Sequence, residues 1–331
     1  MGESLPTTLL PSCHSEMASI GPTTAGDSSA LYETIVYNSL ADSVHKISAE
    51  LARWLMRRSF LTPEAPLRLL DLGAWAGWHS IFLYRELHSA FQRTQDSIHL
   101  VDKADSLACY QLWNTVCPNE DIRRCCYFQA DVSDYLDENP DEIEGTSIIF
   151  LCFLVHHLGS NWRSFLRKLT HIVQEGTIII LSELRGDHAG WCLSFDKLPN
   201  LPLGASARQR RTFLRVLKTV SEATERSGWF YYKNPNASRT EAAIVELESL
   251  GWVLETELPD SPRAEISVEY DASFKLEDLI SSSQFFSAFP TDLTSRKRVL
   301  EEIETLGFAK DLELVSRNCL VYRVLRKARQ T

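Results

Sequence analysis

The chain has 331 residues, 44% of them hydrophobic, enough to bury one large core or a core carrying a sizeable insertion. Its formal net charge of −10 argues against a nucleic-acid backbone or an anionic membrane as the main partner. Its eight cysteines form no CxxC pair and no His cluster has zinc spacing, so no metal is expected and the thiols read as reduced, in a cytoplasmic protein.

No run approaches the ~18 apolar residues of a membrane-spanning helix, and no basic segment followed by an apolar one marks a secretory signal. Residues 1–29, rich in Ser, Thr, Pro and Gly, predict a flexible tail. Over residues 30–62 the apolar positions turn helical. Leu31, Ile35, Leu40, Val44, Ile47, Leu51, Trp54 and Leu55 form a stripe for one helix or two, with Tyr37 on the same segment. Pro63 and Pro66 then end the helix.

Leu67, Leu69, Leu70 and Leu72 make an apolar run of strand length, buried on both faces as in a parallel sheet. It passes into Asp71-Leu72-Gly73-Ala74-Trp75-Ala76-Gly77, and helical spacing follows from Trp78 to Leu87. Strand, glycine-bearing turn and helix start form a unit that cradles a nucleotide. The glycines let backbone approach the ligand, and N–H groups at the helix start point at it.

The alternation continues. Residues 98–102 read as a second strand ending in Asp102, which offers two acceptors to a pair of ribose hydroxyls or caps the next helix. Residues 106–115 read as a helix and residues 125–129 as a third strand, running into Asp131 and Val132. The acidic residues 134–144 read as a solvated loop or helix end. Residues 146–154 predict a central fourth strand leading to Phe153, His156 and His157, residues 162–173 a helix, and residues 177–181 a fifth strand. After it come Glu183, Arg185, Asp187 and His188. Charges at the carboxyl end of a parallel strand belong at the ligand crevice, although a solvated loop reads equally well.

Beyond Trp191 the alternation stops. Residues 205–233 are basic and helical. Phe213, Leu214, Val216 and Leu217 give this stretch a buried side, so a lid helix with a solvated basic face is preferred over a nucleic-acid platform built on Arg210 and Arg211. The aromatic run around Tyr231 would wall a pocket. Residues 239–250 predict a helix, residues 251–256 a strand, residues 271–307 further helix, and residues 314–325 a terminal strand.

The order Asp71-Leu72-Gly73 to Gly77, the run Phe153-Leu154-Val155-His156-His157-Leu158 and the stretch ELESLGWVLETEL resemble the class I S-adenosylmethionine-dependent methyltransferases of small-molecule type. Trp75 stands where that family usually keeps a middle glycine, and its side chain must then point away from the cofactor. The resemblance implies a Rossmann-like, seven-stranded, mostly parallel α/β sheet with helices on both faces and an antiparallel terminal strand. It implies a methyltransferase domain over residues 63–331, with helical insertions at about 190–235 and 271–307. S-Adenosyl-L-methionine would be held by Asp71, Gly73, Ala74, Gly77, Asp102, Asp131, Val132 and Phe153. Base candidates are His157, His156 and Glu183; one of the two imidazoles would equally well cap the strand end. Tyr37, Arg185, His188, Trp191 and Tyr231 would line the substrate. An enclosed pocket favours a small-molecule acceptor, and a homodimer is among the expectations. The competing readings are a protein of this fold that has lost methyl transfer, and an RNA or protein methyltransferase.

Overall fold

The structure is a computed structural model that describes residues 28–61, 64–91, 95–155, 157–184, 235–256, 264–275 and 313–328. Its frame is helix α1 (Ser28–Arg57), then β1 (Arg68–Leu72), α2 (Trp78–Phe91), β2 (Ser97–Asp102), α3 (Leu107–Val116), β3 (Cys125–Gln129), α4 (Val132–Glu138), α5 (Pro140–Glu144), β4 (Ile148–Cys152), α6 (Trp162–Ile172) and β5 (Ile178–Leu184). After residues 185–234 come α7 (Pro235–Ser249), β6 (Trp252–Leu254), β7 (Ile266–Lys275) and β8 (Glu313–Lys327).

One eight-stranded sheet runs in the order β3-β2-β1-β4-β5-β8-β6, with β7 also paired to β8. The first five strands are mutually parallel. β8 inserts antiparallel beside β5, with Ile178 opposite Arg326 and Ser182 opposite Tyr322. β6 and β7 share its other edge, both antiparallel.

Period-two alternation sends the strand side chains to two separate cores. Leu69, Ile98, Leu100, Phe150, Ile178, Ile180, Tyr322 and Val324 pack beneath α1, α2 and α3. Leu70, Leu72, Val101, Ile149, Leu151, Ile179, Leu181 and Leu325 pack against α4, α5, α6 and α7. Apolar residues in both phases explain why these strands read as continuous hydrophobic runs. The fold is thus Rossmann-like α/β, with helices on both faces of a mostly parallel sheet.

Of the expectations one narrows and three change. The N-terminal cover, open to one helix or two, is a single 30-residue helix. Residues 134–144 form most of α4 and all of α5, because Tyr135, Leu136 and Ile143 are buried while the acidic side chains look outward. The fifth strand continues to Leu184, since β8 supplies hydrogen-bonding partners past Leu181. Residues 271–275, expected to be helical, belong to β7 and pair with β8, which makes eight strands where seven were expected. The rest of that predicted insertion, the one at about 190–235 up to residue 234, and nearly all of the tail lie outside the described residues.

Candidate active site

The chain leaves β1 at Leu72 and turns through residues 73–77 into α2. Gly73 and Gly77 are left-handed, with φ of +74° and +73°. The N–H groups of Gly73 and Ala74 both donate to Val101 O, at 2.8 and 3.1 Å, and pin the turn to the end of β2. A Cβ on Gly73 would stand 2.9 Å from Leu154 Cδ1, and one on Gly77 3.0 Å from Ile81 Cδ1. Both positions therefore need glycine for space as well as for backbone.

Trp75, between them, is also left-handed, with φ of +46°. That conformation costs a bulky residue roughly 1–2 kcal/mol. Its N–H donates to Asp102 Oδ2 at 2.8 Å, while Asp102 Oδ1 accepts Ala104 N–H at 2.9 Å. Asp102 thus ties the turn after β1 to the end of β2, and each carboxylate oxygen retains a second lone pair.

A row of polar side chains crosses the α1 side of the sheet just where its apolar core ends. Cys152, Ser182 and Tyr322 are lateral neighbours on β4, β5 and β8, and Asp71 lies on β1 beside β4. Asp71 is 1% exposed. Its Oδ2 accepts Ser80 Oγ–H at 2.6 Å, and its Oδ1 is buried without a hydrogen-bond partner among the described residues. Burial raises the carboxyl to about 7; the Ser80 hydrogen bond opposes this and the nearby Asp102 charge adds to it. A buried orphan acceptor beside a glycine turn is a place for a ligand donor.

His79, in the first turn of α2, closes the row. Its Nδ1 lies 2.5 Å from Tyr322 Oη. The imidazole packs near the rings of Phe153 and Tyr322, with centroids 5.8 and 5.6 Å away. Burial pushes its pKa down to about 3, so the ring is neutral at ordinary pH. Phe153 follows β4 with φ of +53°, its N–H bonded to Ser182 O at 3.0 Å. That left-handed residue turns its ring into the α1-side core.

Asp71, Gly73, Ala74 and Gly77 thus lie on the strand end and turn after β1, Asp102 is tied to that turn through Trp75 N–H, and Phe153 follows the neighbouring β4. Asp131 and Val132 stand one strand further out. Asp131 caps α4 through Ser133 N–H at 2.7 Å, and Val132 is buried in the other core. The Lys103 ammonium, 2.6 Å from Asp131 Oδ2, holds that carboxyl below its usual range. His157 is exposed in the turn after β4, its N–H on Leu154 O at 2.8 Å.

Glu183, expected just past the end of the fifth strand at the crevice or in a solvated loop, is a buried residue inside β5 opposite Val321. Alternation from Leu181 sends it toward the α7 side, away from His79. His156, Arg185, His188, Trp191 and Tyr231 lie outside the described residues, as does the side chain of Tyr37. Among the described residues no group of three or more His, Cys, Asp or Glu is placed to hold a metal ion.

Sequence reasoning missed His79, Ser80, Ser182 and Tyr322. His79 and Ser80 directly follow the glycine turn, and that adjacency was the available signal. Tyr322 carried none, because only the insertion of β8 beside β5 brings it to the site.

No family model matches the chain, and no curated protein matches it by sequence. Among solved structures it is similar to the plantazolicin methyltransferase BpumL in complex with SAH, at 12% identity and a TM-score of 0.40, covering 95% of this chain and 93% of that one. It is also similar to the precorrin-6y C5,15-methyltransferase of Geobacter metallireducens GS-15, at 11% identity and a TM-score of 0.36, covering 82% and 85%. A third likeness is to the [4+2]-cyclase SpnF, at 12% identity and a TM-score of 0.38, covering 85% and 82%. At identities this low the case for the site stands on its own residues.

Proposed function

We propose that the chain is an S-adenosylmethionine-dependent methyltransferase of a small-molecule metabolite, with O-methylation preferred, then N-methylation. One observation carries the reading: a left-handed glycine turn between β1 and α2, tied by its own N–H groups to β2 and flanked by the buried orphan oxygen of Asp71.

The residues present fit the cofactor. Asp71 Oδ1 lacks a donor among the described residues, which an ammonium group would supply. The second lone pairs of Asp102 match two ribose hydroxyls. The start of α2 presents N–H groups and the positive end of a helix dipole. Gly73, Ala74 and Gly77 would follow the cofactor along the turn, and Phe153 would supply an apolar wall. Asp131 and Val132 would border the adenine.

When bound, the cofactor supplies a methyl made electrophilic by its sulfonium. The chain must then hold the acceptor's nucleophilic atom in line with that methyl and keep water out. His157 and His156, after β4, are the proposed acceptor-side groups. Glu183 ranks behind them because its strand phase carries it toward the opposite face. Tyr37, Arg185, His188, Trp191 and Tyr231 complete the proposed acceptor pocket.

Calorimetry and thermal unfolding with S-adenosylmethionine and S-adenosylhomocysteine test the reading. Both ligands should release heat, and ligand at about 100 times its Kd should stabilise the fold by roughly 2.7 kcal/mol. Neither heat nor a shift at millimolar ligand would remove it. Trp75 favours a second reading, in which the pocket binds without transferring methyl. Its mark would be tight cofactor binding with no labelled methyl passed to any member of a panel of phenols, carboxylic acids and amines.

A further inference from the structure

We propose that the empty site holds a proton on Asp71 and that the ammonium of an incoming ligand displaces it, so that cofactor binding releases one proton and strengthens as pH rises through neutrality. This deepens the cofactor reading above, adding a control on the same site, and rests on it.

The surroundings of the carboxyl come first. Asp71 is 1% exposed, and Ser80 is its one hydrogen-bond partner among the described residues. No basic side chain among those residues acts on it; the charge that does is the like charge of Asp102, at the end of β2. The other titratable groups on this side are His79 on α2, Cys152 on β4, Tyr322 on β8 and Tyr127 on β3. Burial lowers the imidazole and raises the thiol and both phenols, so all four are neutral near pH 7 and none offsets a negative charge. From α1 the buried polar residue is Ser48, which does not titrate. A carboxyl so enclosed, with no cation beside it, keeps its proton more readily than it ionises.

The count of hydrogens points the same way. Ser80 Oγ lies 2.6 Å from Asp71 Oδ2 and 3.2 Å from Gly77 O. A hydroxyl has one hydrogen and serves one of these acceptors at a time. A proton on Oδ2 lets both contacts be made, Asp71 donating to Ser80 Oγ and Ser80 donating to Gly77 O. Gly77 is the second left-handed glycine of the turn, so the protonated carboxyl is joined through one hydroxyl to the backbone proposed to meet the cofactor.

The exchange conserves charge. The ammonium brings one positive charge and an N–H donor for Oδ1, the carboxyl proton leaves to solvent, and Ser80 O–H turns back to Oδ2. An ion pair replaces a neutral acid, and the opposite charge then holds the carboxylate ionised. Burial sets the empty carboxyl at about 7, which puts the exchange in a measurable range.

S-Adenosylhomocysteine tests this, because its α-ammonium is charged from pH 6 to pH 8. It is titrated calorimetrically into the full chain at both pH values, each in two buffers of different ionisation enthalpy, which counts the protons. Affinity should be about tenfold weaker at pH 6 than at pH 8. Close to one proton per ligand should be released at pH 6, and about a tenth of one at pH 8. 5′-Deoxy-5′-methylthioadenosine, the same thioether without the amino-acid end, should release none. Asp71→Asn, which cannot ionise, should bind S-adenosylhomocysteine equally at both pH values and release no proton. Ser80→Ala removes the donor that favours the carboxylate and should move the midpoint to higher pH.

No proton released by the wild type, equal release with the shortened ligand, release that persists in Asp71→Asn, or a midpoint unmoved in Ser80→Ala would each overturn the proposal while the cofactor reading stands. A wild-type chain that binds neither ligand at either pH would remove both.

Discussion

At the scale of single residues the site depends on groups held in costly states. Asp71 is the clearest. Its folded carboxyl titrates near 7 against an ordinary value of 3.8, chiefly through burial. The folded state therefore binds the proton more tightly than the unfolded one. Its favourable contribution is complete below about pH 4 and is lost as pH rises through 7. Asp71→Asn, which cannot ionise and still accepts from Ser80, should escape this loss. In urea unfolding, its stability relative to wild type should improve by on the order of 2–4 kcal/mol between pH 4 and pH 8. A flat difference would show that Asp71 ionises normally. Gly73→Ala meets a left-handed backbone and Leu154 at once. It should cost roughly 1–3 kcal/mol in the same measurement and weaken cofactor binding. Gly73 and Asp71 could be read from sequence because their constraint is local. His79 could not be ranked, because its meaning comes from Tyr322, 243 residues away in the chain.

At the scale of elements, short hydrogen-bonded devices fix where strands begin and helices start. Asp96, ahead of β2, accepts Leu67 N–H at 2.7 Å and His88 Nδ1–H at 2.9 Å, so one buried carboxylate joins the entrances of β1 and β2 to the end of α2. Asp96→Ala would leave the buried Leu67 N–H and the partly buried His88 without that acceptor and should destabilise the fold by about 2–4 kcal/mol in urea unfolding. A loss under 1 kcal/mol would mean that water replaces the carboxylate. Asp131 is a plain N-cap on α4. Asp131→Ala should cost about 1 kcal/mol, most of it from the cap, since Lys103 is largely exposed. Should the same variant also discriminate against the adenine ring in binding, Asp131 serves both purposes. Helices and strands with one dominant period were plain in the sequence. The acidic stretch was not, because its few apolar residues matter only once α6 lies beside them.

At the scale of the molecule, the sheet is built around two strands far apart in sequence. β4 lies between β1 and β5, and β8 threads between β5 and the pair β6 and β7. Phe150, fully enclosed at the middle of β4, supports the core beneath the polar row. Phe150→Ala should destabilise by about 3–5 kcal/mol in the same unfolding assay. The alternation of strand and helix, the glycine turn and the acidic end of β2 were determined by the sequence alone, because each rests on periodicity or backbone freedom within a dozen residues. Only the tertiary structure decided that residues 271–275 are strand, that Glu183 lies inside β5, and that Tyr322 meets His79. Those outcomes depend on which edge β8 occupies, and sheet pairing is set by contacts between segments that no local pattern records.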